Sequence, residues 1–327
     1  MVINIRIGNN ISYQNVAEEI CRVNEWECKI YRRNIHTIPN RVNLYIGSIS
    51  DVAYEYMWLK DKPIDVIYMV IEGELADPYD RRNVAQLCNK ATCISATKWG
   101  KELAENMGIT NIADVIYHVI PGDEKVYRRL RNREGSLDAV YLNGYYKFEA
   151  ERPSRNEVCD RKGWRFWPKI CERFDAVGYI TGSGSPSDCV IKVSLKSDTD
   201  AYRLLVNGKV YTSLTINEGF GLNNLMALAV GRKMVAWSIP LFRELYEGID
   251  GVYLVETDDF ERCFIGYASS VKPTWLPSYW GDINKYIDRV YEALNSTTVS
   301  VDYGKIEQKF SKELYKRLGE YVVTKVA

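Results

Sequence analysis

The sequence predicts two consecutive doubly wound α/β units, and three observations carry that expectation. Segments of strand spacing and helix spacing alternate along nearly the whole chain. Residues 64–71 are almost continuously apolar between Pro63 and Gly73, as a parallel strand buried on both faces requires. The alternation pauses at Glu134-Gly135-Ser136 and restarts at 139–142, which divides the chain in two. One long barrel is the competing arrangement, and the pause and restart argue against it.

The elements follow in order. Residues 4–7 alternate as a first strand. Over 14–24, Val16, Ile20 and Val23 recur on one helical face. Residues 27–31 and 42–46 read as strands and 50–59 as a helix. Beyond the 64–71 strand, 82–88, 92–95, 98–107 and 115–120 continue the alternation. Pro121-Gly122-Asp123 is a turn, and 125–133 a helix whose Arg128, Arg129, Arg131 and Arg133 read as a solvated face. The second series starts with a strand at 139–142. Residues 145–160 are charged and irregular, an exposed insertion. A helix over 164–174 and a strand over 177–180 lead into Thr181-Gly182-Ser183-Gly184. Strands are expected at 190–195, 209–215, 234–237 and 252–255, and helices at 222–230, 283–294 and 306–323.

Composition bounds the function. The chain has 327 residues, 46% hydrophobic and 26% charged, an ordinary globular balance. Lysine plus arginine equals aspartate plus glutamate at 43 each, which gives no reason to expect a nucleic-acid partner. No stretch approaches the roughly 20 apolar residues of a membrane span, and the first residues lack the pattern of a signal peptide. A cytoplasmic protein is expected. The eight cysteines include no Cys-x-x-Cys pair and the only histidines are His36 and His118, which argues against a zinc site. The cysteines read as buried free thiols, with incidental disulfides the lesser alternative, and His118 as a core histidine.

The most informative stretch begins at Ser213. An apolar run ends at Thr215, Glu218 follows, and Gly219-Phe220-Gly221 makes a tight turn into the 222–230 helix, which Gly231 stops. Parallel α/β sheets bind ligands outside the carboxyl ends of their strands. The free amides of a helix N-terminus there suit an anion, typically a phosphate.

From Glu218 to Glu244 the chain resembles the retaining glycosyltransferases of the GT-B fold, family 4. Those read roughly Ser-x-x-Glu-Gly-Phe-Gly-Leu-Pro-x-Leu-Glu-Ala-Met-Ala-x-Gly-x-Pro-Val-Val, with a later glutamate. Thr215 takes the serine place. Glu218, Gly219, Phe220, Gly221, Leu222, Leu225, Ala227, Ala229, Gly231 and Val235 match, and Glu244 stands where the later glutamate does. Fainter likenesses lie at Gly144 with Arg161-Lys162-Gly163-Trp164, at Gly182-Ser183-Gly184, at Val119–Asp123 and at Phe310-Ser311-Lys312-Glu313. A compact first half of this kind looks like versions from archaea or their viruses.

The resemblance implies two Rossmann-like domains facing a central cleft. Residues 1–135 would form the acceptor side and 136–327 the nucleotide-sugar side, with the last helix packing back on the first domain. It implies transfer from a UDP- or GDP-linked sugar to a glycan, lipid or protein acceptor, with retention and without a metal or cofactor. Glu218 would orient the sugar and Lys162 would meet the diphosphate. Backbone groups of Gly219, Phe220, Gly221, Leu222, Gly182 and Ser183 would line the donor.

Three positions depart from the pattern. Met226 replaces the second glutamate, which usually holds the ribose; with Leu222, Leu225 and Leu228 it reads as core. Tyr145 replaces an arginine near the phosphates, where Arg152, Arg155 or Arg161 could substitute. Glu72 ends the 64–71 strand where many members carry a histidine, and Gly8-Asn9-Asn10 is read as an ordinary turn. The alternative functions are a catalytically inactive GT-B-like protein that binds nucleotide or glycan, and a sugar-nucleotide epimerase.

Overall fold

The structure, a computed structural model, describes residues 2–8, 10–32, 39–145, 160–182, 189–266 and 273–326. Expectations placed on Asn9, His36, Arg152, Arg155, Ser183 and Gly184 lie outside the described residues.

The chain divides into two compact units. The first comprises residues 1–121, 264–276 and 310–327, and the second residues 122–263 and 277–309.

In the first unit β1 (Val2–Ile7), β2 (Glu27–Arg32), β3 (Val42–Ser48), β4 (Ile64–Val70), β6 (Thr92–Ser95) and β7 (Ile112–Val115) form one sheet in the order β2-β1-β3-β4-β6-β7. Every pairing is parallel. All seven residues of β4 and all seven of β3 are buried, the signature of a sheet covered on both faces. The helices between strands start at side-chain caps. Ser48 and Asp51 form a reciprocal capping box, and Asp77 and Thr97 each accept an amide of the first turn. The two-residue β5 (Glu74–Leu75) pairs antiparallel with the start of a later strand, Pro273–Trp280, with Thr274 opposite Leu75.

The second unit repeats the plan. Its strands are β8 (Leu137–Tyr145), β9 (Ala176–Gly182), β10 (Val190–Lys192), β11 (Gly208–Ser213), β12 (Lys233–Trp237) and β13 (Val252–Val255). They lie in the order β10-β9-β8-β11-β12-β13, all parallel. Renumbered within the unit this is 3-2-1-4-5-6, the order of dinucleotide-binding sheets. Beyond it, β14 (Asp259–Gly266) and β15 (Pro273–Trp280) are neighbours in a separate three-stranded sheet with β5.

Several expectations are corrected. Residues 116–120 are no strand: Ile116, Val119 and Ile120 are buried loop residues beyond β7. Their apolar spacing reflects burial rather than sheet pairing. The helix expected over 306–323 is two, Tyr303–Lys309 and Glu313–Val326. Between them the Phe310 carbonyl accepts the Ile120 amide instead of continuing a helix. The helices Asp198–Leu205 and Pro240–Tyr246 and the strands β14 and β15 have no counterpart in the sequence reading. Arg131 leaves its expected solvated face to pair with Glu307 and stack on the Tyr303 ring.

The cysteines are the largest correction. Cys21–Cys28, Cys88–Cys93 and Cys171–Cys189 form disulfides. The first two join a helix to the strand after it, and the third joins the end of the helix Trp167–Cys171 to the residue before β10, with Cα separations of 5.3–6.4 Å. Searching for Cys-x-x-Cys could not reveal pairs set by packing.

His118 is a core histidine, as its setting in the sequence suggested. It is buried, with Nδ1 3.0 Å from the hydroxyls of both Tyr68 and Tyr315. Burial pushes its pKa from 6.5 down to about 3, so the ring is held neutral. Tyr315 belongs to the C-terminal helix, whose Tyr315 carbonyl also accepts the Asn24 side chain at 3.0 Å.

Candidate functional site

In an order of 3-2-1-4-5-6 the strand direction of travel reverses between the first and fourth strands, here β8 and β11. The crevice outside their carboxyl ends is where such sheets take a ligand. β8 runs out through Asn143 and Gly144. β11 runs out through Ser213 into the buried segment Leu214-Thr215-Ile216-Asn217, then Glu218 and the Gly219-Phe220-Gly221 turn.

Polar side chains tie the two strand ends together. Asn143 Nδ2 donates to Thr215 Oγ1 at 3.2 Å and to the Tyr141 hydroxyl at 3.1 Å. The Tyr141 hydroxyl donates to the Lys162 carbonyl. Burial pushes the Tyr141 pKa far up, so its hydroxyl stays a donor. Asn223 Nδ2 reaches the Leu142 carbonyl at 2.9 Å and anchors the start of the helix Leu222–Ala229 to β8.

The segment 160–163 is pinned against the β11 exit. Ile216 donates its amide to the Arg161 carbonyl at 3.0 Å. Gly163 sits at φ 66, and a Cβ there would lie 2.0 Å from the Leu214 carbonyl oxygen. Only glycine fits both demands. Asp160 caps the following turn through the Arg165 amide at 2.6 Å, and burial raises its pKa. Trp164 packs on Tyr141 with ring centroids 4.7 Å apart and donates its indole N–H to the Gly144 carbonyl.

This scaffold delivers Lys162 to Glu218. Lys162, only 8% exposed, places Nζ 2.6 Å from Glu218 Oε2, and Arg161 Nη2 lies 3.7 Å from Oε1. Two cations therefore face one carboxylate at the strand exit. Glu218 also accepts the Gly219 amide at 3.2 Å. Phe220 is buried, and Gly221 caps the helix in the left-handed region at φ 81 with no side-chain hydrogen bond to the first turn. The orphan amides of that turn, from Leu222 onward, are thus left without a side-chain acceptor. Burial, with the Glu218 charge adding to it, pushes up the pKa of Tyr246.

The other positions singled out in the sequence have their own settings. Gly182 ends β9, opposite Tyr145 of β8, and stands two strands from β11 at the same sheet edge. Met226 is buried at 3% exposure in the helix core. Glu244 lies in the helix Pro240–Tyr246, where its carbonyl accepts Lys309 Nζ. Glu72 follows β4 in the first unit. Tyr141, Asn143 and Asn224 carried no sequence signal; the one available hint was Asn143-Gly144 at a strand end. Among the described residues no group of three or more His, Cys, Asp or Glu side chains could hold a metal ion, and no helix is long and apolar enough to cross a membrane.

No protein-family model and no curated protein matches the chain in sequence. Solved structures match in fold. The sucrose-phosphate synthase of Thermosynechococcus elongatus superposes with a TM-score of 0.62 at 11% identity, covering 97% of this chain and 98% of that one. Anabaena HepE, solved in complex with UDP and glucose, gives 0.64 at 9% identity over 98% and 100%. The lipopolysaccharide outer core galactosyltransferase WaaB gives 0.53 at 15% over 99% and 100%. The chain shares their fold, the GT-B class of two Rossmann-like α/β domains.

Proposed function

We propose that the protein is a retaining glycosyltransferase that moves a sugar from a nucleoside-diphosphate sugar to a glycan, lipid or protein acceptor. The observation that carries this reading is the Lys162–Glu218 pair at the exit of β11, set beside a helix N-terminus that lacks a side-chain acceptor. The GT-B fold and the UDP and glucose bound to HepE support it.

The chemistry divides between the two partners. When the donor enters, its diphosphate replaces the carboxylate as the partner of Lys162, and Arg161 and the amides at Gly221–Asn223 share the charge. Glu218 turns to the sugar hydroxyls and offsets the positive charge that develops as the anomeric C–O bond breaks. The bonding electrons leave with the diphosphate. The acceptor hydroxyl attacks the same face of the sugar and gives its proton to a departing phosphate oxygen, which retains configuration. These cations and amides do the work a divalent metal would otherwise do, so neither a metal nor another cofactor is required.

Buried Met226 favours a second reading, a nucleotide-binding protein without turnover, because methionine cannot hold the ribose as the usual glutamate does. A thermal-shift panel of UDP-, GDP- and ADP-sugars with excess EDTA tests the donor assignment. One base series should raise the melting temperature in a concentration-dependent way. No shift with any sugar nucleotide, or a shift that requires added magnesium or manganese, contradicts it.

A further inference from the structure

The helix Leu222–Ala229 has an unusual third position. Residues there commonly reach back to the N-cap and offer an acceptor to its amide, half of a capping box. Asn224 reaches back in the same way but presents its amide nitrogen. A Cβ at Gly221 would meet Asn224 Nδ2 at 3.0 Å and Glu218 Cγ at 3.4 Å, so the three residues crowd one spot beside the turn. Asn224 is 3% exposed, and its Nδ2 has no hydrogen-bond partner among the described residues. Its backbone N–H is already used, donating to the Gly221 carbonyl at 3.0 Å.

The donors therefore accumulate without an acceptor. The Leu222 and Asn223 amides have no intrahelical partner by their position in the first turn. The Gly221 cap supplies no side chain, and the first turn contains no acidic residue. A buried side-chain donor left unsatisfied is costly, and such groups mark places where a ligand completes the bonding. Three N–H groups on the first turn, at the positive end of a helix, suit an anionic oxygen.

We propose that Asn224 is a ligand-binding residue whose side-chain N–H donates to a diphosphate oxygen of the nucleotide, alongside the Leu222 and Asn223 amides. This rests on the donor reading above and adds a residue that the family likeness does not mark. The opposing possibility is an ordinary cap, with the amide turned to offer its oxygen to the Gly221 N–H. Asn224→Asp separates the two. A carboxylate there would cap the helix at least as well and suit its dipole, yet it would repel a phosphate.

The test is calorimetric titration of wild type, Asn224→Asp and Asn224→Ala with UDP, GDP and ADP and with the matching nucleosides, alongside melting temperatures. For the diphosphate that wild type binds best, Asn224→Ala should weaken affinity about tenfold or more. Asn224→Asp should weaken it further while melting at or above the wild-type temperature, and nucleoside affinity should hold in both. Wild-type diphosphate affinity in Asn224→Asp, or equal losses for diphosphate and nucleoside, would overturn the proposal and leave the donor reading standing. Wild type that binds none of the three diphosphates would overturn both.

Discussion

Lys162→Ala removes the cation that meets Glu218 and leaves Arg161 beside the carboxylate, so the fold should survive. Losing one charge-assisted contact should weaken diphosphate binding by about 1.5–3 kcal/mol with little change for the nucleoside. Calorimetry on both ligands checks this, and equal losses would mean that Lys162 does not touch phosphate. The Glu-Gly-Phe-Gly turn was legible because its residues are contiguous and its glycines have one physical use. The likeness also marked Lys162, but not its ion pair with Glu218, because the two lie 56 residues apart and packing brings them together. The Tyr141–Asn143–Thr215 network was hidden for the same reason: it spans 72 to 74 residues. Gly163 hid differently. A glycine between lysine and tryptophan looks permissive until the Leu214 carbonyl is placed against it.

Elements with one strong period were readable and those shaped by tertiary contact were not. The strands at β3, β4 and β6 and the helix Ile283–Asn295 lie close to where apolar spacing put them. The strands β14 and β15 have mixed polarity, and the three disulfides obey proximity rather than spacing. The contact between the C-terminal helix and His118 makes a prediction at this scale. The folded state holds His118 neutral down to about 3, while the unfolded chain takes up the proton near 6.5. Between those values the unfolded state binds more protons, so the stability due to His118 is complete above about 6.5 and is lost as the pH falls. His118→Phe should melt lower at neutral pH, since the Tyr68 and Tyr315 hydroxyls lose the ring nitrogen that both meet, but its melting temperature should fall less steeply from pH 7 to pH 4. Parallel curves for the two proteins would show that His118 does not titrate this way.

At the scale of the whole molecule, two doubly wound sheets were foreseeable from the alternation and its single pause. Strand order was not, because alternation alone does not say which neighbours pair. The order matters most in the second unit: 3-2-1-4-5-6 puts the switch point between β8 and β11, and the Lys162–Glu218 pair stands at that exit. The central claim is that this exit carries out sugar transfer. It is tested most directly by donor turnover, measured as release of nucleoside diphosphate from the sugar nucleotide that the thermal panel selects, in wild type and in Glu218→Gln. The substitution keeps the shape and removes the charge that balances the developing cation. Glu218→Gln should bind the nucleoside diphosphate and melt near the wild-type temperature, while its turnover falls at least a hundredfold, about 2.7 kcal/mol in the barrier. Turnover equal to wild type in Glu218→Gln, or none in either protein, would contradict the account.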